Sequence, residues 1–316
     1  MQATYQLSLV IPVFNESEVL PILAARLNEF VEKIALRTEI VLIDDGSTDS
    51  TSYLMSELAV RDLKYQCIFL SRNYGHQRAL RAGLEASRGE YVMILDADLQ
   101  DPPEMFFMFF EKMKEGYEVV YGIRKKRKES ALKVFAYNSF YRILTRISNY
   151  PIPRDSGDFC LMTRRVVTAM LRINEESPYM RGIRSWVGFK QVGVEYERFA
   201  RVAGVPKYTF SKLLKLAYDG IFNFSIFPLK IVSIAGLTCI LSSLLYLIVT
   251  IVRKFFVEDV PLGFTALLFV IILFGGVQLL SIGILGEYIH RIFFQVKGRP
   301  LYFINKRIID GKEYND

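Results

Sequence analysis

The segment YVMILDADLQDPPE, residues 91–104, changes from apolar to acidic within a few positions. Its first half is short, apolar and rich in residues that favour strands, so it predicts a buried β-strand. Asp96 and Asp98 follow where that strand ends. Because they are two residues apart, both side chains would point the same way on an extended backbone. The segment therefore predicts a strand with two carboxylates at its carboxyl end.

Four further apolar runs of similar length occur within the first 124 residues, and helix-like stretches separate the five strands. The runs are LSLVIPVF (7–14), EIVLIDDG (39–46), YQCIFLS (65–71) and EVVYGIR (118–124). Strands that alternate with helices are typical of βαβ units, which build a mostly parallel sheet. We therefore predict an α/β fold, with a doubly wound, mostly parallel sheet and helices on both faces.

Polar residues cluster at the carboxyl ends of the first four strands. These residues are Asn15 and Glu16, Asp44 and Asp45, Arg72 and Asn73, and Asp96 and Asp98. Ligands of open α/β sheets bind at that edge. Two adjacent carboxylates at a buried strand end, such as Asp44 and Asp45, are costly unless they bind something. The pattern therefore predicts a ligand site along this edge.

The composition narrows the classes of partner. The chain has 316 residues, with 40 Lys and Arg against 33 Asp and Glu, for a formal charge of +7. Nucleotides, phosphates and acidic lipids are therefore plausible partners. Only the net charge suggests a nucleic acid, and we expect none. The cysteines are Cys67, Cys160 and Cys239, without spacing for a disulfide framework or a zinc site, so we expect a reducing compartment. The first twenty residues do not resemble a signal peptide.

Two uncharged apolar runs, residues 231–252 and 262–286, predict a transmembrane hairpin. The first run spans about 33 Å as a helix, enough to cross a bilayer core. A buried helix of a soluble protein is the alternative, which two such runs make less favourable. Lysines and arginines cluster before the first run and after the second, so by the positive-inside rule both termini face the cytoplasm. We expect a multi-pass protein of the cytoplasmic (inner) membrane.

The spans divide the chain into four expected parts. These are a cytoplasmic domain (1–210), a connecting segment (211–230), the hairpin (231–286) and a cytoplasmic basic tail (287–316). The connecting segment, SKLLKLAYDGIFNFSIFPLK, mixes lysines with Leu, Phe and Tyr. It is compatible with an amphipathic interfacial helix and equally with a core helix of the first domain. The segment and the hairpin could mediate self-association, and we expect a homo-oligomer.

The acidic strand end has a chemical interpretation. The chain lacks both the dinucleotide-binding glycine fingerprint and the phosphate-binding G-x-x-x-x-G-K-[ST] loop. Asp96 and Asp98 offer hard oxygen ligands, which suit Mg²⁺ or Mn²⁺ with substrate phosphates completing the coordination shell. The alternative is that these two residues merely end a strand. Asp101 fits a helix cap before Pro102.

Several segments together resemble a known family. VIPVFNE (10–16), IDDGSTD (43–49), SRNYGHQRALRAGLEAS (71–87) and LDADLQDPPE (95–104) occur in this order, followed by DSGDFCLM (155–162) and RGIRSWVGF (181–189). The first four resemble the inverting family 2 glycosyltransferases of the GT-A fold. With the last two and the hairpin, the chain resembles the polyisoprenyl-phosphate glycosyltransferases, including bactoprenol glucosyltransferases and dolichyl-phosphate mannose synthases.

The resemblance implies an activity and a set of site residues. The activity is inverting transfer of one sugar from a nucleotide sugar to polyprenyl (undecaprenyl) phosphate, with UDP-glucose as the expected donor. The alternatives are mannosyl transfer from GDP-mannose and a non-catalytic, membrane-tethered nucleotide-sugar binder. The implied nucleotide-sugar site consists of Pro12, Val13, Asn15, Glu16, Asp44 near the base and Asp96 near the ribose or sugar. The implied metal ligands are Asp98, Asp96 and Gln100.

Polyprenyl phosphate is already an anion at neutral pH, because a phosphomonoester has its second pKa near 6. The harder task is to bring two anions together, for which the chain needs a metal and fixed cations. Arg124 ends a predicted strand on the ligand edge. Arg142 and Arg146 lie on a predicted helix over 133–148, and an ordinary solvated face is the alternative for such basic residues. We expect all three arginines to contact the acceptor phosphate.

Asp158 lies beside a glycine turn and fits the position of the catalytic base in related enzymes. Because the nucleophile is already ionised, Asp158 could orient the donor sugar instead, and a turn-forming role is a further alternative. We expect Asp98, Asp158 and Arg124 to be catalytic. Arg181, Arg184 and Trp186 resemble an altered form of the Q-x-x-R-W motif of processive synthases, in which the Gln is missing and Arg-Ser-Trp replaces Arg-Trp, which argues against a processive synthase. His76 is expected to be structural.

Overall fold

The computed structural model describes residues 5–124, 156–197, 227–256 and 263–315. The chain divides into two compact units. We call the first the sheet unit, which comprises Met1–Tyr141, Tyr150–Lys207 and Arg299–Asp316. We call the second the helical unit, which comprises Arg142–Asn149 and Tyr208–Gly298.

Within the described residues, the sheet unit contains one sheet of nine strands. The strands are β1 (Leu7–Val13), β2 (Thr38–Asp44), β3 (Tyr65–Leu70), β4 (Tyr91–Ile94), β5 (Val119–Arg124), β6 (Ser156–Thr163), β7 (Gln191–Tyr196), β8 (Ile304–Ile309) and β9 (Lys312–Asn315). Their order is β7-β5-β6-β4-β1-β2-β3-β8-β9. All five strands predicted from the apolar runs are present, and they are β1 to β5.

The centre of the sheet is parallel, as predicted. β1 pairs in parallel with β2 and β4, and β2 pairs in parallel with β3. β6 is antiparallel to both β4 and β5, while β8 is antiparallel to β3 and β9. The carboxyl ends of β1, β2 and β4 consequently meet at one edge of the sheet.

Helices cover both faces of this sheet, which confirms the doubly wound α/β prediction. They are α1 (Leu20–Glu32), α2 (Thr51–Arg61), α3 (His76–Ala86), α4 (Met105–Lys114), α5 (Arg164–Leu171) and α6 (Met180–Trp186). Buried side chains of α1, α2 and α4 form one apolar cluster with Leu9 and Ile11 of β1. Those of α3, α5 and α6 form a second cluster with Val10. Alternate residues of the strand thus supply the two cores.

The last part of the chain differs from the expected tail at 287–316. Residues 304–315 form β8 and β9, which extend the sheet from the free edge of β3. The residues of β8, INKRII, mix lysine and arginine with isoleucine, and Ile308 is its one fully buried hydrophobic residue. Without an uninterrupted apolar run the strand has no clear signal in the sequence. Residues 299–316 therefore join the sheet unit, although two long helices precede them in the chain.

A network of charged side chains holds the β8–β9 turn. Arg88 donates from Nε to Oε2 of Glu39 at 2.8 Å, and its terminal nitrogens lie 3.3 and 3.4 Å from the carboxylate of Asp310. The Glu39 side chain is fully buried and also accepts from Oγ of Ser8 at 2.6 Å. Gln66 exchanges hydrogen bonds with Asp310. Arg88 therefore links a buried carboxylate of β2 to the turn before β9.

The helical unit contains two long apolar helices, α7 (Phe227–Phe256) and α8 (Phe264–Lys297). The windows Leu229–Tyr246 and Leu273–Lys297 have mean hydropathies of 1.8 and 1.2, so both helices could cross a membrane by length and composition. α7 extends beyond the predicted span 231–252 at both ends, while α8 extends beyond the predicted span 262–286 only at its carboxyl end. Residues 211–226 of the predicted interfacial helix lie outside the described residues, and Phe227 to Lys230 belong to α7.

We predict that Arg88→Ala destabilises the sheet unit by about 1.5–3 kcal/mol, because the buried Glu39 carboxylate loses a charged hydrogen-bond donor. This corresponds to a fall of roughly 3–12 °C in melting temperature. Differential scanning fluorimetry of the full-length chain in detergent would measure it. Arg61→Ala is the control, because Arg61 is 75% exposed and pairs only with the neighbouring turn's Glu57 among the contacts described. An unchanged melting temperature for Arg88→Ala would contradict the prediction.

Candidate functional site

The loops after β1 and β2 are locked to one another at the carboxyl edge of the sheet. Asn15 adopts a left-handed conformation with φ of 51°, and its backbone N–H donates to Oγ of Ser47 at 2.9 Å. The Asn15 side-chain oxygen accepts from the N–H of Thr48 at 2.8 Å. The N–H of Glu16 donates to Oγ1 of Thr51 at 3.0 Å. Pro12 and Val13, which were also predicted in this site, are buried at the end of β1.

The two carboxylates at the carboxyl end of β2, Asp44 and Asp45, accept hydrogen bonds from the protein itself. Asp44 accepts from the N–H of Ser47 at 2.9 Å and from the hydroxyl of Ser52. Asp45 accepts from the N–H of Tyr74 at 2.8 Å and from that of Gly75 at 3.0 Å. Burial raises the pKa of Asp45, although these two backbone hydrogen bonds oppose the shift. Both residues thus organise the binding loops, and a contact of Asp44 with a base stays a prediction.

Gly46 lies where these loops meet the segment after β3. Its φ is +68°, and a Cβ atom there would lie 2.3 Å from the carbonyl carbon of Arg72. A side chain is therefore excluded both by backbone conformation and by space. This close approach brings the segment carrying Tyr74, Gly75 and His76 to the same edge as Asp44 and Asp45.

Asp96 and Asp98 lie just beyond the end of β4, as predicted. Oδ1 of Asp96 is 4.0 Å from Nε2 of His76, and its Oδ2 is 3.9 Å from a terminal nitrogen of Arg124. Oδ1 of Asp98 accepts from the backbone N–H of Gln100 at 3.2 Å. Burial raises the pKa of Asp96, and the charges of Asp101, Asp158 and Asp98 add to the shift while His76 opposes it. The site thus carries an excess of negative charge.

Asp158 reaches the same place from β6. Ile94 of β4 pairs with Cys160 of the antiparallel β6. Asp158 lies two residues before Cys160 and Asp96 two residues after Ile94, so both carboxylates lie at the same end of this strand pair. Asp158 is buried, with 7% of the residue exposed. Its carboxylate accepts hydrogen bonds from Nε of Arg181 at 3.0 Å and from Nε2 of Gln77 at 3.0 Å. Burial would raise its pKa, but the charge of Arg181 and the hydrogen bond with His76 outweigh burial and lower it. Asp158 is therefore an ionised carboxylate.

His76 begins α3 and contacts two of the predicted site residues. Its Nε2 lies 3.3 Å from Oδ2 of Asp158 and 4.0 Å from Asp96. Burial disfavours the charged ring, but the hydrogen bond and charge of Asp158 and the charge of Asp96 raise its pKa overall. The expected structural role of His76 stays a prediction, and the structure places its side chain beside Asp158 and Asp96.

Arg124 ends β5 and reaches across to the same carboxylates. A terminal nitrogen lies 3.7 Å from Oδ2 of Asp101, and its Nε donates to the hydroxyl of Tyr196 at 3.3 Å. That hydroxyl donates to Oδ1 of Asp101 at 2.5 Å. A Cβ atom at Gly157 would lie 2.9 Å from Nη2 of Arg124, so the glycine leaves room for the guanidinium. Arg142 and Arg146 lie outside the described residues.

Together these contacts form an alternating series of charges. We call Asp96, Asp98, Asp101 and Asp158 the acidic edge. The cations that face it are Arg181 beside Asp158, His76 between Asp158 and Asp96, and Arg124 between Asp96 and Asp101. The sequence analysis named Asp96, Asp98, Asp158 and Arg124, whose roles stay predictions. It missed the contributions of Gln77, Asp101, Arg181 and Tyr196, because their roles depend on pairings between distant segments.

The acidic edge fits a divalent metal of a particular kind. Among the residues that the structure describes, no group of three or more His, Cys, Asp or Glu side chains is arranged to hold a metal alone. Mg²⁺ and Mn²⁺ bind instead through one or two carboxylates, with the remaining ligands from substrate phosphates and water. Asp96 and Asp98 supply such oxygens, and a dication would favour the ionised form of Asp96, whose pKa is raised mainly by burial and further by the charges of Asp101, Asp158 and Asp98.

Comparisons with known proteins identify the family of the chain. The family model "Glycosyl transferase family 2" matches residues 8–171. The chain is 42% identical over 307 residues to the uncharacterised glycosyltransferase YkcC of Bacillus subtilis (strain 168), covering 97% of this chain and 95% of that protein. It is 41% identical over 302 residues to the SfII prophage-derived bactoprenol glucosyl transferase of Shigella flexneri, covering 95% and 98%.

Among solved structures, the chain is similar to glucosyl-3-phosphoglycerate synthase from Mycobacterium tuberculosis in complex with Mn²⁺, UDP-glucose and phosphoglyceric acid. The TM-score is 0.48 at 17% identity, and the alignment covers 69% of this chain and 78% of that chain. The sequence matches are stronger, since they span more than half of the chain for the family model and nearly all of it for the relatives. The chain is therefore a glycosyltransferase that belongs to glycosyl transferase family 2.

Proposed function

We propose that this glycosyltransferase transfers one glucose from UDP-glucose to polyprenyl (undecaprenyl) phosphate, with inversion at the anomeric carbon. The observation that carries the proposal is the acidic edge, where an ionised Asp158 lies beside Asp96 and fixed cations surround both. Relatives named bactoprenol glucosyl transferase, which match over at least 95% of this chain, support a lipid carrier as the acceptor.

The locked loops after β1 and β2 would bind the nucleotide. Asn15 and Glu16 are held by the loop that follows Asp44, so the backbone of this region is organised before a ligand arrives. Preorganisation lowers the entropy cost of binding. We assign Pro12, Val13, Asn15, Glu16 and Asp44 to this part of the site, with Asp96 nearer the sugar.

Asp96 and Asp98 would hold the divalent metal, with Gln100 as a further oxygen ligand. Gln100 is buried, with 7% exposure, directly after the Asp98 turn. When bound, Mg²⁺ or Mn²⁺ would offset the charge of the diphosphate leaving group. The chain would thus place the oxygen ligands of Asp96, Asp98 and Gln100 close to Asp158, which would act on the donor sugar.

Asp158 would act on the donor as a fixed negative charge. Its lowered pKa makes it a weak base, and its hydrogen bonds to Arg181 and Gln77 hold the carboxylate in one orientation. Because the lipid phosphate is already ionised at neutral pH, the reaction does not need a strong base. A carboxylate in this position can instead stabilise the positive charge that develops on the sugar ring during transfer.

Arg124 would contact the acceptor phosphate, together with Arg142 and Arg146. Its side chain is 34% exposed and lies against the carboxylates of the acidic edge, so part of its guanidinium can meet a ligand. Arginine pairs strongly with phosphate because its planar donors match the phosphate oxygens. The fixed cation would therefore reduce repulsion between the two anionic substrates.

The helical unit would place the reaction at a membrane. Large apolar side chains along both helices, including Leu245 and Leu279, are exposed, and lipid would cover such a surface. The distribution of lysine and arginine supports a multi-pass arrangement in the cytoplasmic membrane with both termini cytoplasmic. The same helices are where we place the contacts of a homo-oligomer.

Incubation of membranes containing the full chain with undecaprenyl phosphate and a panel of UDP- and GDP-sugars would test the reaction. We expect glucosylated lipid phosphate from UDP-glucose, identified by mass spectrometry. Formation of a mannosylated lipid from GDP-mannose would show that GDP-mannose, and not UDP-glucose, is the donor. Absence of a lipid product with every donor would favour a non-catalytic nucleotide-sugar binder.

Removal of the divalent ion should stop the reaction, because the ion would offset the charge of the diphosphate leaving group. We expect transfer of radiolabelled sugar to disappear in excess EDTA and to return on addition of Mg²⁺ or Mn²⁺. Asp98→Ala should abolish transfer for the same reason. Full turnover in the presence of chelator, or labelled lipid from Asp98→Ala, would show that the metal assignment is wrong.

Asp158→Asn tests the role of the fixed charge, because it keeps the shape of the side chain and removes its ionisation. We expect initial rates of transfer to fall by at least about 100-fold, the usual scale for a lost electrostatic group in an active site. Asp62→Asn is the matched control, since Asp62 lies in the turn before β3 at the opposite edge of the sheet. Equal rates for the two variants would exclude this role.

A further inference from the structure

Arg124 lies between two carboxylates of the acidic edge. Its terminal nitrogen Nη2 is 3.9 Å from Oδ2 of Asp96 and 3.7 Å from Oδ2 of Asp101. Both distances exceed those of a hydrogen bond, so the attraction at these two oxygens is electrostatic and not tied to one geometry. Arg124 therefore offsets negative charge at Asp96 without being fixed to it.

The Nε atom of Arg124 is held more firmly than its terminal nitrogens. Nε of Arg124 donates to Tyr196, whose hydroxyl in turn donates to the buried Asp101. Gly157 allows the close approach, because a Cβ atom there would come within 2.9 Å of Nη2. The side chain is thus anchored by the hydrogen bond from Nε to Tyr196, while Nη2 lies between the carboxylates of Asp101 and Asp96.

Asp96 is a proposed ligand of the divalent metal, so a metal bound there and Arg124 would compete for the same negative charge. A monovalent cation a few ångströms from a divalent one is repelled by it, and the effect is large where water is partly excluded. Loss of the arginine charge should consequently tighten metal binding. The same loss should weaken transfer, because a phosphate contact disappears with it.

We propose that Arg124 is a resident counter-cation of Asp96, which a divalent metal displaces electrostatically so that the guanidinium becomes available to a substrate phosphate. The proposal rests on the proposed function for the fate of the guanidinium. The competition between Arg124 and the metal does not depend on turnover. An experiment can therefore contradict the competition between Arg124 and the metal without contradicting the proposed transfer reaction, and the reverse.

Binding of Mn²⁺ alone to the purified full-length chain in detergent would test the competition, with free Mn²⁺ followed by electron paramagnetic resonance. We expect Arg124→Gln to lower the Kd for Mn²⁺ by about tenfold, which corresponds to a repulsion of about 1.4 kcal/mol. Arg124→Met, a second neutral variant, should shift the Kd in the same direction. Arg124→Lys keeps the charge and should stay within about twofold of the unmodified chain.

Arg61→Gln is the control for net charge, because Arg61 is an exposed residue near the end of α2. It should leave the Kd unchanged. Transfer by Arg124→Gln, measured at saturating Mn²⁺, should fall by at least about tenfold even though the metal binds more tightly. Opposite changes in metal affinity and turnover are not expected from a purely structural role.

The proposal is overturned if both neutral variants bind Mn²⁺ with the same or weaker affinity than the unmodified chain. It is also overturned if neither the unmodified chain nor the neutral variants show saturable Mn²⁺ binding. Failure of the transfer reaction itself would instead appear as an absence of lipid product in the unmodified chain, whatever the Mn²⁺ affinities are.

Discussion

The site depends on balancing negative charge at the carboxyl end of the sheet. Four carboxylates form the acidic edge, and a buried carboxylate is unfavourable unless cations or hydrogen-bond donors compensate it. Arg181, His76 and Arg124 supply that compensation from three different elements. Their partial pairing leaves Asp158 ionised and Asp96 with a raised pKa, so the two neighbouring carboxylates have different properties. One edge of the sheet can thus hold both a fixed negative charge and a metal ligand.

The order of the strands brings these groups together. β6 lies between β4 and β5, so its residues Gly157 and Asp158 are adjacent to the carboxyl end of β4 and to Arg124 of β5. The same insertion makes the sheet mixed, since β6 is antiparallel to both neighbours. At the other side, β8 and β9 add residues from after the long helices to the edge of β3. The sheet unit is therefore complete only when the last residues of the chain have been added.

The structure also clarifies the chemistry open to Asp158. A group that accepts hydrogen bonds from Arg181 and Gln77 and has a lowered pKa is a poor proton acceptor. This property suits a reaction whose nucleophile is already an anion. At the start of α3, the imidazole of His76 lies between the carboxylates of Asp158 and Asp96. The hydrogen-bonded partners of the carboxylate thus matter as much as the carboxylate itself.

From the sequence alone it was possible to predict β1 to β5, the parallel centre of the sheet, the two long apolar helices, and Asp96, Asp98, Asp158 and Arg124. Those features depend on local periodicity, composition and short motifs. β8 and β9 could not be predicted because their residues do not form an uninterrupted apolar run and their pairing with β3 spans more than 200 residues. Likewise, only the tertiary structure placed His76, Tyr196 and Arg181 against the acidic edge, because long-range strand and helix packing determines which charges become neighbours.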